Sequence, residues 1–417
     1  MFTCSIHVLN AVFLALTIFQ ARGEEEDHQT EVERLHAFIA SDAYNNKIRP
    51  EAFHDKPNVV YLDFVVVRLS SFEEAAMVYG LSMYLRQKWK DFRLANPNRT
   101  RTVAMSFSMY DKLWVPDTYI VNEEHATFHT TTVPNRLLRV DSYGWILYSQ
   151  KVTARLGCEY RLKKFPHDSQ VCSLEIESVG HTTDDIQLEW KLTQPPLGNM
   201  MIKIPQFTIT GYKIGDCTKT YYTGRFSCLK VDFFFQRGLS YYILRVFLPS
   251  LLAVLLSWLS FWICHRATAA RISIGILSLL SIVTQQSDLG KELAAVSYLT
   301  AYDLWMAVCL VFVFASVIEY SLISVLDRNY RRAVKRQKKK ELQSALKRKK
   351  CASSKPKASP ESKRVIFRQP EASMVSLPKY IPDLATQVDH VARYLFPGLF
   401  LLFNVVYWTS YYSISDD

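Results

Sequence analysis

Eight cysteines are the residues of this 417-residue chain most able to make covalent bonds, and their spacing says which chemistry they do. Cys158 and Cys172 enclose thirteen residues, and Cys217 and Cys228 enclose ten. An even set in an oxidising compartment, paired closely along the chain, favours two local disulfides, 158–172 and 217–228, although three pairings are formally open. Cys4, Cys264, Cys309 and Cys351 fall in a leader, in or beside apolar blocks, or on the opposite side of the membrane. No nucleophile motif, phosphate-cradling loop or metal-ligand cluster is present in a usable context, so the chain is not read as an enzyme and no cofactor is expected. His125 and His129 are the nearest approach to a zinc pair. In an extended segment they stand ~13 Å apart, too far to share an ion, so the expected metal set is none.

The other chemistry is that of water and ions in an apolar setting. Ala269, Ser273, Leu277, Leu280, Thr284, Ser287 and Lys291 recur at spacings of three and four and form one stripe if this segment is helical. The stripe is polar at its ends and apolar in its middle, the profile of a wet conduit with a hydrophobic constriction. The alternative is a packing face inside a helical bundle.

The elements that must carry these residues follow from four apolar blocks, Tyr241–Ile263, Ile272–Leu289, Leu304–Ile323 and Tyr394–Tyr412. At about 1.5 Å per residue each crosses a bilayer core. The second is the most polar and should face water or protein rather than lipid. An earlier block, Val8–Phe19, followed by Ala21-Arg22-Gly23 and an acidic run, reads as a secretory signal peptide over 1–23. The net charge of +11 is concentrated between Arg328 and Lys350, with twelve Lys or Arg against Glu341. Between the third and fourth blocks this is a cytoplasmic, positive-inside loop that can touch anionic lipid, rather than a nucleic-acid site. Leader and basic loop independently give one topology: 24–240 outside, 241–326 carrying three spans, 327–390 a basic cytoplasmic linker, and 391–417 the fourth span and a short outer tail. The linker is expected to begin as a helix continuing the third span, to turn disordered, and to regain helix within Tyr380–Val391.

Within 24–240, Val59–Leu69, Met77–Trp89, Trp145–Val152 and Phe207–Ile214 read as strands. Met77, Tyr79, Leu81, Met83 and Leu85 take one face of theirs, and Ser82, Tyr84 and Arg86 the other. Many strands with no helical repeat suggest a β-sandwich, so the fold class is an extracellular β-sandwich plus a four-helix transmembrane bundle. Asn98-Arg99-Thr100 is a glycosylation sequon in the secreted part.

The loop between Cys158 and Cys172 contains Phe165-Pro166-His167-Asp168. With that spacing it resembles the signature loop of the pentameric Cys-loop receptors. The segment Cys217–Cys228 resembles the second disulfide loop of glycine receptors, a mark of the anion-channel branch. Tyr241-Tyr242, Pro249-Ser250-Leu251-Leu252, Leu256–Trp262, Asp303–Cys309 and Glu319-Tyr320 extend the likeness through the first and third spans. The resemblance implies five subunits, homo- or heteromeric, around one chloride pore in a plasma membrane, postsynaptic or sensory. It implies agonist sites between neighbouring sandwiches, and coupling through the Cys loop.

Residue by residue, the resemblance makes Leu280 the gate, with Leu277 widening the apolar zone. The cytoplasmic mouth reads Ala269-Ala270-Arg271, where cation-selective relatives carry Glu at the position of Ala270. A ring of Arg271 would attract anions, or that side chain would only snorkel to the interface. For the agonist, Arg86 and Ser149 match the carboxylate-binding positions, with Tyr84 beside them. Glu177, Tyr221, Thr223 and Phe226 match the other side of the interface. Val179 replaces an ammonium-caging aromatic, and Ala295 replaces the usual Lys of the loop between the second and third spans. The gating signal is therefore open: a small extracellular ligand, or, in a chemosensor, protons, hydroxide or a metal. A non-conducting accessory subunit is the remaining alternative.

Overall fold

A computed structural model describes residues 31–54, 56–99, 101–192, 196–197, 204–263, 267–291, 293–353 and 381–413. The expected leader, the middle of the linker (354–380) and the end of the tail (414–417) lie outside these residues. The described chain divides into two compact units, 31–161 with 168–238 and 162–167 with 239–413.

The first unit opens with a helix over 31–40, which the strand reading missed. A seven-stranded sheet follows in the order β3 (Val103–Met105), β6 (Arg136–Val140), β7, β2, β1 and β9 (Ile186–Trp190), with β5 (Glu123–Phe128) also on β7. Its long members are β1 (Asn58–Glu73), β2 (Val78–Lys90) and β7 (Trp145–Gly157). A second sheet runs β10-β13-β8-β4, built on β10 (Phe207–Asp216), β13 (Cys228–Arg237) and β8 (Ser169–Ser178). Period-two alternation puts Leu81, Met83 and Trp89 of β2 inside and leaves Tyr84 and Lys88 outside. The two sheets meet through aromatic rings, with Phe64 of β1 edge-on to Phe233 of β13 at 6.2 Å and Tyr79 of β2 6.3 Å from Phe235. Cys158–Cys172 and Cys217–Cys228 are both formed.

The second unit holds four helices long and apolar enough to cross a membrane: Leu239–Phe261, Thr268–Gly290, the hydrophobic part of Ala301–Ser353, and Gln387–Tyr411. As expected, the third runs on into the basic segment without a break. Pro249 explains a local irregularity in the first. Lacking an N–H, it cannot bond the carbonyl four residues earlier, that of Arg245. The chain there takes a π turn over Ile243–Phe247, and Gln285 of the second span donates to the carbonyls of Arg245 (3.1 Å) and Val246 (2.9 Å). A polar residue in the second span thus repairs a backbone defect in the first. Trp305 joins the first, third and fourth helices by packing on Phe247 and Tyr407 and donating to the Ser250 hydroxyl (2.9 Å). Leu162–His167, the tip of the Cys158–Cys172 loop, belongs to this unit. Phe165 meets Tyr242 edge-on at 5.0 Å and its carbonyl accepts from Tyr302 N–H, while His167 lies 5.2 Å from Trp408.

Candidate functional site

Two sets of residues have the geometry of functional sites. The first lies on the sandwich. Strand pairing sets Arg86 of β2 between Asp63 of β1 and Ser149 of β7, and Tyr84 opposite Lys151. The predicted carboxylate-binding pair, Arg86 and Ser149, are therefore direct cross-strand neighbours. Arg86 makes a single 3.3 Å contact with the buried Asp63. It occupies one arm of the guanidinium.

Glu177, Val179, Tyr221, Thr223 and Phe226 lie on the other sheet and its hairpin. Cys228 pairs with Glu177 across β13–β8, and the hairpin of β11 (Lys219–Tyr221) and β12 (Gly224–Phe226) bends back over them. Tyr221 Oη donates to Glu177 Oε2 at 3.4 Å and its ring meets Phe226 at 5.8 Å. Thr223 and Tyr221 are exposed, while Phe226 is buried and packs the hairpin. Burial raises the Glu177 carboxyl pKa, and Lys219 and Tyr221 pull it back. Val179 is 63% exposed, and its backbone N–H is held by the Asp117 carbonyl. The two residue sets occupy different sheets of one subunit.

Sequence reasoning missed Tyr119 and Asp117. Tyr119 is the direct neighbour of Glu177 on β4 (Thr118–Ile120) and is 38% exposed, so an aromatic face stands beside Glu177 although Val179 offers none. Asp117 braces the Glu177–His181 turn, accepting from Ser178 Oγ (2.7 Å) and Gly180 N (2.6 Å). Also missed was a buried network at the end of β13. Arg237, wholly buried, grips Asp168 through Nε (2.8 Å) and a second nitrogen (3.1 Å) and reaches Glu74 at 2.6 Å. Among the histidines, His129 Nε2 lies 2.8 Å from Thr153 Oγ1, and His125 pairs with Arg155 in the sheet. Asn98 is exposed; Thr100 of its sequon lies outside the described residues.

The second set is on the second span. Its buried residues are Arg271, Gly275, Ser278 and Ile282, again at spacings of four and three. Gly275 is where the third helix comes closest: a Cβ there would lie 2.6 Å from Val317 Cγ2. The predicted stripe is a different face. Ala269, Ser273, Leu277, Leu280, Thr284, Ser287 and Lys291 are all exposed in the subunit, as is Ala270, with Leu277 at 64% and Leu280 at 56%. The reading of the stripe as an intrasubunit packing face is therefore excluded.

Arg271 is a correction. It is 2% exposed and lies on the buried face, where its guanidinium holds Asp389 of the fourth helix (2.8 and 3.0 Å) and the Ile263 carbonyl, beside the Tyr320 ring. Within the subunit it lies on the buried face of the helix and not on the exposed stripe. An arginine this close to the bilayer core is stable only with its charge matched and its donors filled, and the fourth helix supplies both.

Residues 32–238 match the neurotransmitter-gated ion-channel ligand binding domain, and residues 246–383 match the neurotransmitter-gated ion-channel transmembrane region. Two disulfide-closed loops on a sandwich, four apolar helices and these two consecutive matches lead to one conclusion: the chain belongs to the neurotransmitter-gated ion-channel family, the Cys-loop receptors, as a multi-pass membrane subunit.

Proposed function

We propose that this chain is one of five subunits of a plasma-membrane chloride channel opened by a small extracellular ligand. The observation that carries this is the exposed stripe Ala269, Ser273, Leu277, Leu280, Thr284 and Ser287 of the second span, which holds no acid and whose only large apolar side chains are Leu277 and Leu280. Five copies around an axis would form a water-filled path narrowed by leucines, with no carboxylate ring at the mouth to hold cations. Because Arg271 spends its charge on Asp389, the anion preference rests on the missing carboxylate at Ala270. The basic helix continuing the third span adds a positive cytoplasmic field. The exposed flank of Arg86 and Ser149 supports a ligand with a carboxylate, and Glu177 with Tyr119 and Tyr221 supports an amine at its other end.

The test is the reversal potential of the open channel as external chloride is replaced by a large organic anion. It should follow the chloride equilibrium potential. A reversal that instead follows sodium overturns the anion reading.

A further inference from the structure

We propose that the cavity under the N-terminal helix is a second ligand site, separate from the Arg86–Ser149 cluster, and that it takes a small monocarboxylate with a compact apolar body. The cavity has a volume of about 240 Å³ and lies between the helix over 31–40 and the segment Arg93–Arg99. Leu35, Phe38 and Leu94 form its apolar walls, and Arg34, Arg93 and Arg99 bring charge to it. Five of the nine lining residues are polar or charged, so the cavity offers a charged wall beside an apolar one, which suits a small amphipathic ligand.

The three arginines do different things. All the N–H groups of Arg93 are used, on Asp91, the Asn45 and Ile48 carbonyls and Tyr44 Oη. Asp91 neutralises it, so Arg93 is wall rather than receptor. Arg99 is 5% exposed and donates to the Asp141 carbonyl at 3.0 Å, yet its buried Nε has no hydrogen-bond partner among the described residues. A buried guanidinium donor that finds no acceptor among the described residues is a group that a ligand oxygen can satisfy. Arg34 is exposed at the rim. The one acid in the lining is Glu31. Asp91 cancels Arg93, and the carboxylates of both Glu31 and Asp141 act on Arg99, so the lining is close to neutral with Arg34 as its exposed cation. One carboxylate on an apolar body supplies the acceptor that Arg99 Nε lacks, whereas a phosphate dianion would overcharge the site.

Benzoate is the probe, with benzamide as its neutral isostere, titrated into the purified, assembled full-length channel by calorimetry. Benzoate should bind and benzamide should not. Arg99→Gln should weaken benzoate at least tenfold, and Arg34→Glu, at an exposed position that does not threaten folding, at least threefold. Arg86→Ala should leave this binding unchanged, which separates it from the agonist cluster. Equal binding of benzamide, loss of benzoate in Arg86→Ala alone, or full affinity in Arg34→Glu would each overturn the proposal. Should Arg99→Gln fail to assemble, the Arg34→Glu titration decides the same question.

Discussion

Arg237 of the sandwich and Arg271 of the membrane unit are both almost wholly buried, but they are held in opposite ways. Arg237 meets two carboxylates, Asp168 and Glu74, and lies over the Phe207 ring at 4.4 Å. Arg271 meets one, Asp389, and completes its donors with the Ile263 carbonyl. The extracellular cluster is over-supplied with acid: removing its cation would leave two buried carboxylates side by side. The membrane pair is matched one to one, with the half-buried Glu319 carboxyl as a further acid acting on both of its members. A third arginine, Arg86, is partly exposed and has one loose contact, the arrangement of a side chain still available to a ligand. Burial and partner number, rather than residue type, separate a structural tie from a recognition group.

The largest effect should come from Arg237→Gln. Uncompensated burial of Asp168 and Glu74 should cost about 3–5 kcal/mol and abolish surface expression, and Arg237→Lys should not restore it because an ammonium cannot grip Asp168 with two nitrogens. Surface biotinylation of the expressed chain measures this, and normal surface levels would remove the distinction drawn above.

Asp389→Asn should cost somewhat less, about 2.5–3.5 kcal/mol, the penalty for an unmatched charge in a spanning helix. The double variant Arg271→Gln/Asp389→Asn should recover most of it and leave the reversal potential in place, since Arg271 lies off the exposed stripe of the second span. A double variant that opens but loses its preference for chloride would show that Arg271 acts on ions after all.

Gly275→Ala tests the packing that brings Arg271 to its partner. The added methyl collides with Val317 and should destabilise the assembled channel by about 1–3 kcal/mol in thermal unfolding, with Val317→Ala relieving it. The smallest effect on stability belongs to Arg86→Gln. Its partly exposed ion pair should change stability by no more than about 1 kcal/mol, while the concentration of agonist needed for half-maximal current rises at least tenfold. Loss of folding in this variant would class Arg86 with Arg237.

Much of this was legible in the chain. Period-two patterning set the strands and the inward face of β2, apolar length set the four spans, and cysteine spacing favoured the two disulfides that form. These signals are local, because each rests on residues a few positions apart. The helix over 31–40 was missed because it lies between the leader and the first strand signal, without a long apolar period of its own. Tyr119 was missed because its importance comes from register: only pairing of β4 with β8 puts it beside Glu177.

Composition and spacing by themselves determined that the chain has four segments long enough to thread a membrane and presents a stripe polar at both ends on the second of them. They could not say which of two helical faces turns inward, because Ala269–Lys291 supports two stripes at the same three-and-four spacing. Tertiary structure chose between them: the face carrying Gly275 can approach Val317, and the face carrying Leu277 and Leu280 is left outside. It also decided the fate of Arg271, whose partner is 118 residues away in sequence. A charge shows in the sequence wherever it stands, but what cancels it is set by which distant carboxylate the fold brings within 3 Å.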